Sequence, residues 1–419
     1  MANRTLAVAP PSGIGVRKGY RDGTHRVCDP ADTLKRVCPL MSRMGITRIA
    51  NVTGLDTIGI PVVVVCRPNS RNLAVSQGKG PTLDAARASG LMEAVEFYHA
   101  ERIELPLKLA GYDELRVRHQ VVDVRRLPRM ATRPFSPRQR VLWIAGRDLN
   151  EEQEVWVPYE LVHMDYRLPL PSGSGAFLMS SNGLASGNHR LEATSHAICE
   201  LIERDADSLW KARGKPGQAA TRLDLDTVDD PACRDLLDRF ERAGIAVAVW
   251  DTTADLGVAS FRCTIMDREP NPWRLMCANT GMGCHPSRDV ALSRSLTEAA
   301  QSRLTVISSS RDDVTRNDYD MSRNPDLVDR LRTGFASQVP VRDYRRVPTF
   351  ESDTIDGDLH WLLERLAGRG FDRVVAVDLT RPEFDLPVVR VIVPGLESTH
   401  LATGYVRGPR ARAAAAGEL

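Results

Sequence analysis

The residues best suited to chemistry lie in one segment of the 419-residue chain, GLASGNHRLEATSHAICELIERD at positions 183–205. Projected on a helix at ~100° per residue, Asn188, Glu192, His196, Glu200 and Glu203 fall within an arc of about 120°. Leu191, Ala193, Ala197, Ile198, Leu201 and Ile202 cover the opposite arc, which predicts an amphipathic helix. A solvated acidic face is the plainer reading, and it fits poorly. Exposed helix faces interleave Lys or Arg four residues after Glu, and no Lys lies in this stripe. Like charges stacked on one face each cost roughly a few tenths of a kcal/mol, so three glutamates need a compensating cation. A divalent metal supplies it.

The arrangement recurs twice. In Ser89-Gly-Leu-Met-Glu93-Ala-Val-Glu96, the serine and both glutamates sit within about 60° of one another. Their neighbours Leu91, Met92, Val95, Phe97 and Tyr98 are apolar, so these carboxylates must be paired or metal-bound. A third helix carries Arg294, Glu298 and Gln301 in one stripe, with Arg303 on the far side. The five glutamates Glu93, Glu96, Glu192, Glu200 and Glu203 exceed what one Mg²⁺ takes from protein, because Mg²⁺ favours one or two carboxylates plus substrate phosphates. Two or more Mg²⁺ ions bridging a nucleotide triphosphate account for the number. Lys79, in Ser76-Gln-Gly-Lys-Gly80, is placed to meet the phosphates, although neither a Walker loop nor a G-x-G-x-x-G element is present. Alone, such a tripeptide is more often only a turn. No Ser/His/Asp or Cys/His arrangement demands a covalent intermediate, so no catalytic residue is assigned, and His196 is read as structural or as a ligand's support.

The elements that must hold these residues are mixed. Long helical patterns occupy 82–102, 189–212 and 288–307, with another near 357–369. Apolar β-branched runs at Ile60–Cys66, Ile245–Trp250, Val374–Val377 and Pro387–Pro394 predict buried strands. Such a mixture indicates an α/β or α+β architecture. No Gly/Ser or Pro-rich linker interrupts the chain, so a single domain over 17–405 is expected, with 17–75 integral to it. Flexible ends are expected at 1–16 and 406–419. Lys and Arg number 56 against 54 Asp and Glu, which argues against a nucleic-acid partner. No apolar window spans a membrane or forms a secretory signal. The eight cysteines show no C-x-x-C pair, so mostly buried, reduced thiols in a cytoplasmic protein are expected.

Three segments together resemble the YcaO superfamily: SQGKGPTLDAARASGLMEAVE, GLASGNHRLEATSHAICELIERDA and ALSRSLTEAAQSR. The resemblance covers roughly residues 17–405. It implies an α+β fold of the YcaO type, with mixed sheets and glutamate-bearing helices closing over a nucleotide. It also implies ATP and Mg²⁺ as cofactors, with Glu93, Glu96, Glu192, Glu200 and Glu203 on the metal. Ser89, Asn188, Arg204, Glu298, Gln301 and Arg303 join the nucleotide site by the same likeness, as do Arg26, Thr33 and Arg36 by a looser one. Phe97 follows Glu96 where the family often has Arg.

Members of this family phosphorylate a peptide backbone amide on oxygen and let a nucleophile attack the carbon. The run from Lys18 to Arg71 resembles members paired with TfuA proteins, which are linked to thioamide formation; its plainer reading is the first strand and helix of the fold. Azoline-forming members typically end in P-x-P-x-P, whereas this sequence ends in RARAAAAGEL. Thioamide formation on a ribosomally made peptide is therefore expected, with a TfuA-like partner protein or sulfur donor and a homodimer. Azoline and macroamidine formation are the alternatives on a peptide. A non-catalytic nucleotide-binding regulator is the alternative of another class.

Overall fold

A computed structural model describes residues 15–269, 278–322, 324–337, 339–398 and 404–419. Helix α1 (Pro30–Val37) starts at Asp29, whose side chain accepts from the Ala31 amide. It leads to an antiparallel sheet of β1 (Arg48–Asn51), β2 (Val62–Cys66) and β3 (Val75–Lys79). Next come α2 (Leu83–Ala100), β4 (Leu107–Ala110), β5 (Val141–Asp148), β6 (Glu154–Pro158), β7 (Leu184–Ser186) and α3 (Arg190–Ala212). Helix α4 (Pro231–Arg242) precedes a second antiparallel sheet of β8 (Ile245–Asp251), β9 (Ser260–Asp267) and β10 (Asn279–Cys284). Then follow α5 (Arg288–Ser308), α6 (Ile355–Ala367), β11 (Val375–Asp378), β12 (Val388–Ile392) and α7 (Pro409–Ala416).

Two compact units divide the chain, where the sequence suggests one continuous domain. The first comprises residues 15–18, Val95–Ala212 and Ser352–Leu419. Its six-stranded antiparallel sheet runs β4-β5-β11-β12-β7, with β6 also paired to β5. Strands from the C-terminal segment thus fill the middle of a sheet begun some 270 residues earlier. Against it packs α3, flanked by α6 and α7. Trp143, Phe177, Ile198 and Ile202 are fully buried there; each such side chain contributes about 1.5–3 kcal/mol.

The second unit comprises Gly19–Ala94 and Arg213–Glu351. Its core joins Ile58 and Ile60 to Phe240, Phe261, Leu292, Leu296 and Tyr344. It repeats one motif, an antiparallel three-stranded sheet followed by a helix. In the first copy β1-β2-β3 lead to α2; in the second β8-β9-β10 lead to α5. The boundary between units falls within α2, so Ser89 and Glu93 belong to the second unit and Glu96 to the first.

The two expected flexible ends are described only in part. Residues 1–14 lie outside the described residues, but Val16 is tied down: its amide donates to Asp356 Oδ1 at 2.8 Å, and its carbonyl accepts from the Ile355 amide at 2.8 Å. The C-terminal residues form α7, with Ala411 and Ala414 buried. Arg410 there grips the fully buried Asp205 with Nε at 3.0 Å and Nη2 at 2.8 Å. Glu397 holds the start of α7 by accepting the Gly408 and Ala411 amides at 2.9 and 3.0 Å. Among the seven described cysteines, all free thiols, Cys199, Cys233, Cys263 and Cys284 are buried and Cys38 is exposed. Cys277 lies outside the described residues. No described helix is long and apolar enough to cross a membrane.

Candidate functional site

In the first unit, α3 begins four residues after β7 ends, and this turn places Asn188 and Glu192 at a helix N-terminus. Glu192 is 4% exposed, and its Oε1 accepts the Asn188 backbone amide at 3.3 Å. A carboxylate in the first turn is also favoured by the helix dipole. Two turns on, Glu200 Oε2 accepts the Gly183 amide at 3.3 Å. Glu203 is 3% exposed, and Arg204 Nη2 lies 3.6 Å from it and 3.7 Å from Glu200. Glu96, from α2, receives two bonds on Oε1, from the Ser186 amide and from Ser186 Oγ, both at 2.8 Å. His196 is half-buried in the same stripe. The solvated-face reading fails here, because two of the stripe's three glutamates are interior.

The second unit carries its set on the repeated strand–helix motif. Glu93 Oε2 accepts the Gln77 amide of β3 at 3.0 Å, and Glu298 Oε1 accepts the Met282 amide of β10 at 3.2 Å. Helix and strand must nearly touch for these bonds to form, and glycine permits it. A Cβ on Gly78 would stand 2.0 Å from the Ala86 carbonyl oxygen, and one on Gly281 would stand 2.2 Å from the Ala299 nitrogen. Lys79 Nζ donates to Glu298 Oε2 at 2.6 Å, so the fold brings these two expected residues together. Ser89 and Gln301 are half-buried, one turn from Glu93 and Glu298 respectively.

The looser expectations are distributed on the N-terminal segment. Arg26 is half-buried and pairs through its backbone with Tyr20; Arg36 is exposed on α1. Thr33 is buried, and its Oγ1 donates to the Asp29 carbonyl at 3.4 Å. Arg303 lies in a different setting from Glu298 and Gln301. It is fully buried, with Nε 2.8 Å from Asp56 and Nη2 3.0 Å from Asp267. Its fork is spent inside the core on these two carboxylates.

Sequence reasoning missed the groups that aim the carboxylates: the amides of Gln77, Gly183 and Met282, and both donors of Ser186. Backbone amides carry no sequence signal of their own. Ser186 had one, since a small hydroxyl ends the strand just before the glutamate helix. A carboxylate that accepts a backbone amide has its plane and direction fixed, as a metal ligand requires. All these donors are hard oxygens, the type Mg²⁺ takes. The residues present therefore fit Mg²⁺ with a nucleotide.

Residues 77–397 match the family model described as YcaO cyclodehydratase, ATP- and Mg²⁺-binding. An uncharacterised protein from the tfuA 3′ region of Rhizobium leguminosarum bv. trifolii is 37% identical over 390 residues, covering 90% of each chain. An uncharacterised protein of Methanothermobacter thermautotrophicus is 37% identical over 373 residues, covering 88% of this chain and 94% of its own. Among solved structures, YcaO from Methanopyrus kandleri bound with AMPPCP and Mg²⁺ superposes with a TM-score of 0.72 at 23% identity. That match covers 91% of this chain and 95% of the other. A heterocyclase in complex with substrate and cofactor gives 0.78 at 22% identity, covering 98% of this chain, which spans 57% of that protein's length. Both likenesses bear out the α+β fold.

Proposed function

The chain belongs to the YcaO family, which binds ATP and Mg²⁺, and from that premise we propose that it activates a peptide backbone amide by O-phosphorylation. The amide oxygen attacks the γ-phosphorus of ATP, ADP departs, and the carbon becomes open to an external sulfide. Sulfide adds to that carbon, and phosphate leaves with the former amide oxygen. The net change is oxygen for sulfur at the amide, with ATP converted to ADP and phosphate. An amide oxygen is a very poor leaving group and phosphate a good one, so the ATP investment is chemically necessary.

The observation that carries this reading is the buried carboxylate stripe of α3, Glu192 and Glu203 above all. Mg²⁺ held there would supply the charge neutralisation that a triphosphate needs. Glu93, Glu96, Glu192, Glu200 and Glu203 are its proposed ligands. Backbone amides keep Glu93, Glu96, Glu192 and Glu200 aimed without reorganisation. Lys79, Ser89, Asn188, Arg204, Glu298 and Gln301 are proposed to attend the nucleotide, with Arg26, Thr33 and Arg36. Sulfur as nucleophile is supported by the relative from a tfuA region, and a TfuA-like protein is the proposed partner.

The test is high-resolution mass spectrometry of a candidate peptide encoded beside the gene. It is incubated with the protein, Mg-ATP and sulfide, with and without a TfuA-like protein. Exchange of one oxygen for one sulfur is expected. Loss of one water without sulfur gain replaces thioamidation by azoline or macroamidine formation. ATP consumption by free carboxylate and amine points to ligation instead, and no ATP consumption in any combination removes catalysis from the reading.

A further inference from the structure

We infer that Arg390 is a positioning residue for Glu200: it locks the Ser180–Gly183 turn whose backbone amide holds the Glu200 carboxylate. The inference rests on the reading of Glu200 as a Mg²⁺ ligand, but its first link, from Arg390 to the turn, does not.

Arg390 occupies the centre of β12, opposite Val377 of β11 and Leu184 of β7. The other four residues of the strand are Val388, Val389, Val391 and Ile392, all buried, and Arg390 itself is 2% exposed. A guanidinium on such a strand is expensive, and its bonding makes it more so. Only Nη2 is spent, donating to the Ser180 carbonyl. Nε and Nη1 are buried with no acceptor among the described residues. An apolar side chain would pack this site at less cost, so packing does not account for an arginine here.

What the arginine does is visible in the chain of bonds around it. Its Nη2 fixes one end of the turn at Ser180, and the next residue, Val391, donates its amide to the Gly183 carbonyl at 2.8 Å. Within the turn, the Leu184 amide donates to the Ser181 carbonyl at 2.9 Å. Gly183, at φ +78°, then presents its own amide to Glu200. A Cβ on Gly183 would stand 2.4 Å from the Val391 carbonyl oxygen and 3.1 Å from Leu201 Cδ1. The turn therefore has one seat, between β12 and α3, and it relays the position of β12 to the carboxylate. Burial lowers the Arg390 pKa to about 10, while Tyr166 and Glu200 nearby act in the opposite direction. At neutral pH Arg390 is thus still a cation close to Glu200.

The experiment uses the full chain and two readouts. Amide hydrogen exchange of the metal-free protein is followed at Gly183 and Leu184, and Mn²⁺ binding in the presence of AMPPCP is titrated by EPR. R390K keeps the charge and loses the fork, so exchange at Gly183 is expected to accelerate and Mn²⁺ affinity to fall about 10-fold or more. E200Q is expected to lose Mn²⁺ affinity to a similar degree, and R390K/E200Q no further, because the arginine acts through the glutamate. G183A, which disturbs the turn without touching the arginine, reproduces the loss and serves if R390K does not fold. Unchanged exchange at Gly183 in R390K overturns the proposal. So does a lowered melting temperature with wild-type Mn²⁺ affinity, or a double mutant whose losses add. If the wild-type protein binds no Mn²⁺ with AMPPCP, the nucleotide-site reading fails and the link to metal with it; the exchange data still decide whether Arg390 holds the turn.

Discussion

A carboxylate costs little on a protein surface and a great deal inside one unless its charge is compensated. Glu203 is 3% exposed with Arg204 3.6 Å away, and Glu93 is half-buried under the Gln77 amide. Glu203→Gln and Glu93→Gln keep size and hydrogen bonding but remove the charge that a metal would use. Each is expected to lower Mg²⁺-dependent ATP turnover about 100-fold or more, with the circular dichroism spectrum and melting temperature preserved. Normal turnover and an unaltered Mg²⁺ requirement in both variants would falsify the assignment. Arg303→Met makes the opposite kind of change. It strands Asp56, 1% exposed, and Asp267 without their cation, and a loss of about 3–5 kcal/mol is expected by urea denaturation. The helical projection already set Arg303 apart from Glu298 and Gln301. Its partners were beyond reach of any local pattern, because Asp56 lies 247 positions upstream.

At the scale of elements, the second unit uses one device twice: a glycine in a strand admits a helix close enough for a strand amide to reach a glutamate. Gly281→Ala tests it. The new methyl would meet the Ala299 nitrogen at 2.2 Å and the Ser295 carbonyl oxygen at 2.3 Å, both backbone, so α5 must move away from β10. A cost of about 1–3 kcal/mol is expected in thermal melts, as for other overpacked sites. The Met282–Glu298 bond, 3.2 Å here, lengthens with that movement, and ATP turnover is expected to fall by more than the stability loss explains. Unimpaired turnover in a destabilised variant would show that Glu298 need not be held. The glutamate helices were legible in the sequence because they are long: the spans 82–102, 189–212 and 288–307 end within two residues of α2, α3 and α5. Long periodic segments average out local ambiguity. The C-terminal helix was missed because its buried face is alanine. Ala is the best helix former yet contributes little apolar signal, so RARAAAAGEL reads as a solvated end.

For the molecule as a whole, the chain order conceals the units. Residues 352–419 return to complete the unit begun at 95–212, supplying two sheet strands and two of the helices on α3. A sequence reading that looks for linkers finds none and expects one domain, since all four crossings between units are made without a Gly/Ser or Pro-rich linker. The return is secured by a charge pair: Arg410 of α7 on Asp205 of α3, with Asp205 fully buried and Arg410 largely so. Asp205 Oδ1 also accepts the Glu397 amide at 2.8 Å. Arg410→Met is expected to cost about 3–5 kcal/mol at neutral pH, because it leaves a buried carboxylate without its cation. The pH dependence gives the cause away. Burial raises the Asp205 carboxyl above its ordinary value of 3.8, and Arg410 pulls it back down. Without the arginine the folded-state pKa rises further, so the folded variant takes up a proton at a pH where the unfolded chain does not. Acidification therefore favours the folded variant relative to wild type. The stability deficit should shrink as pH falls from neutrality through the variant's raised value, and stop changing once the wild type's own Asp205, itself held above 3.8, is protonated as well. Urea denaturation of both proteins at several pH values measures it directly. A deficit that stays constant with pH would mean that Arg410 holds α7 by packing alone, and that the return of the chain does not depend on the Asp205 charge.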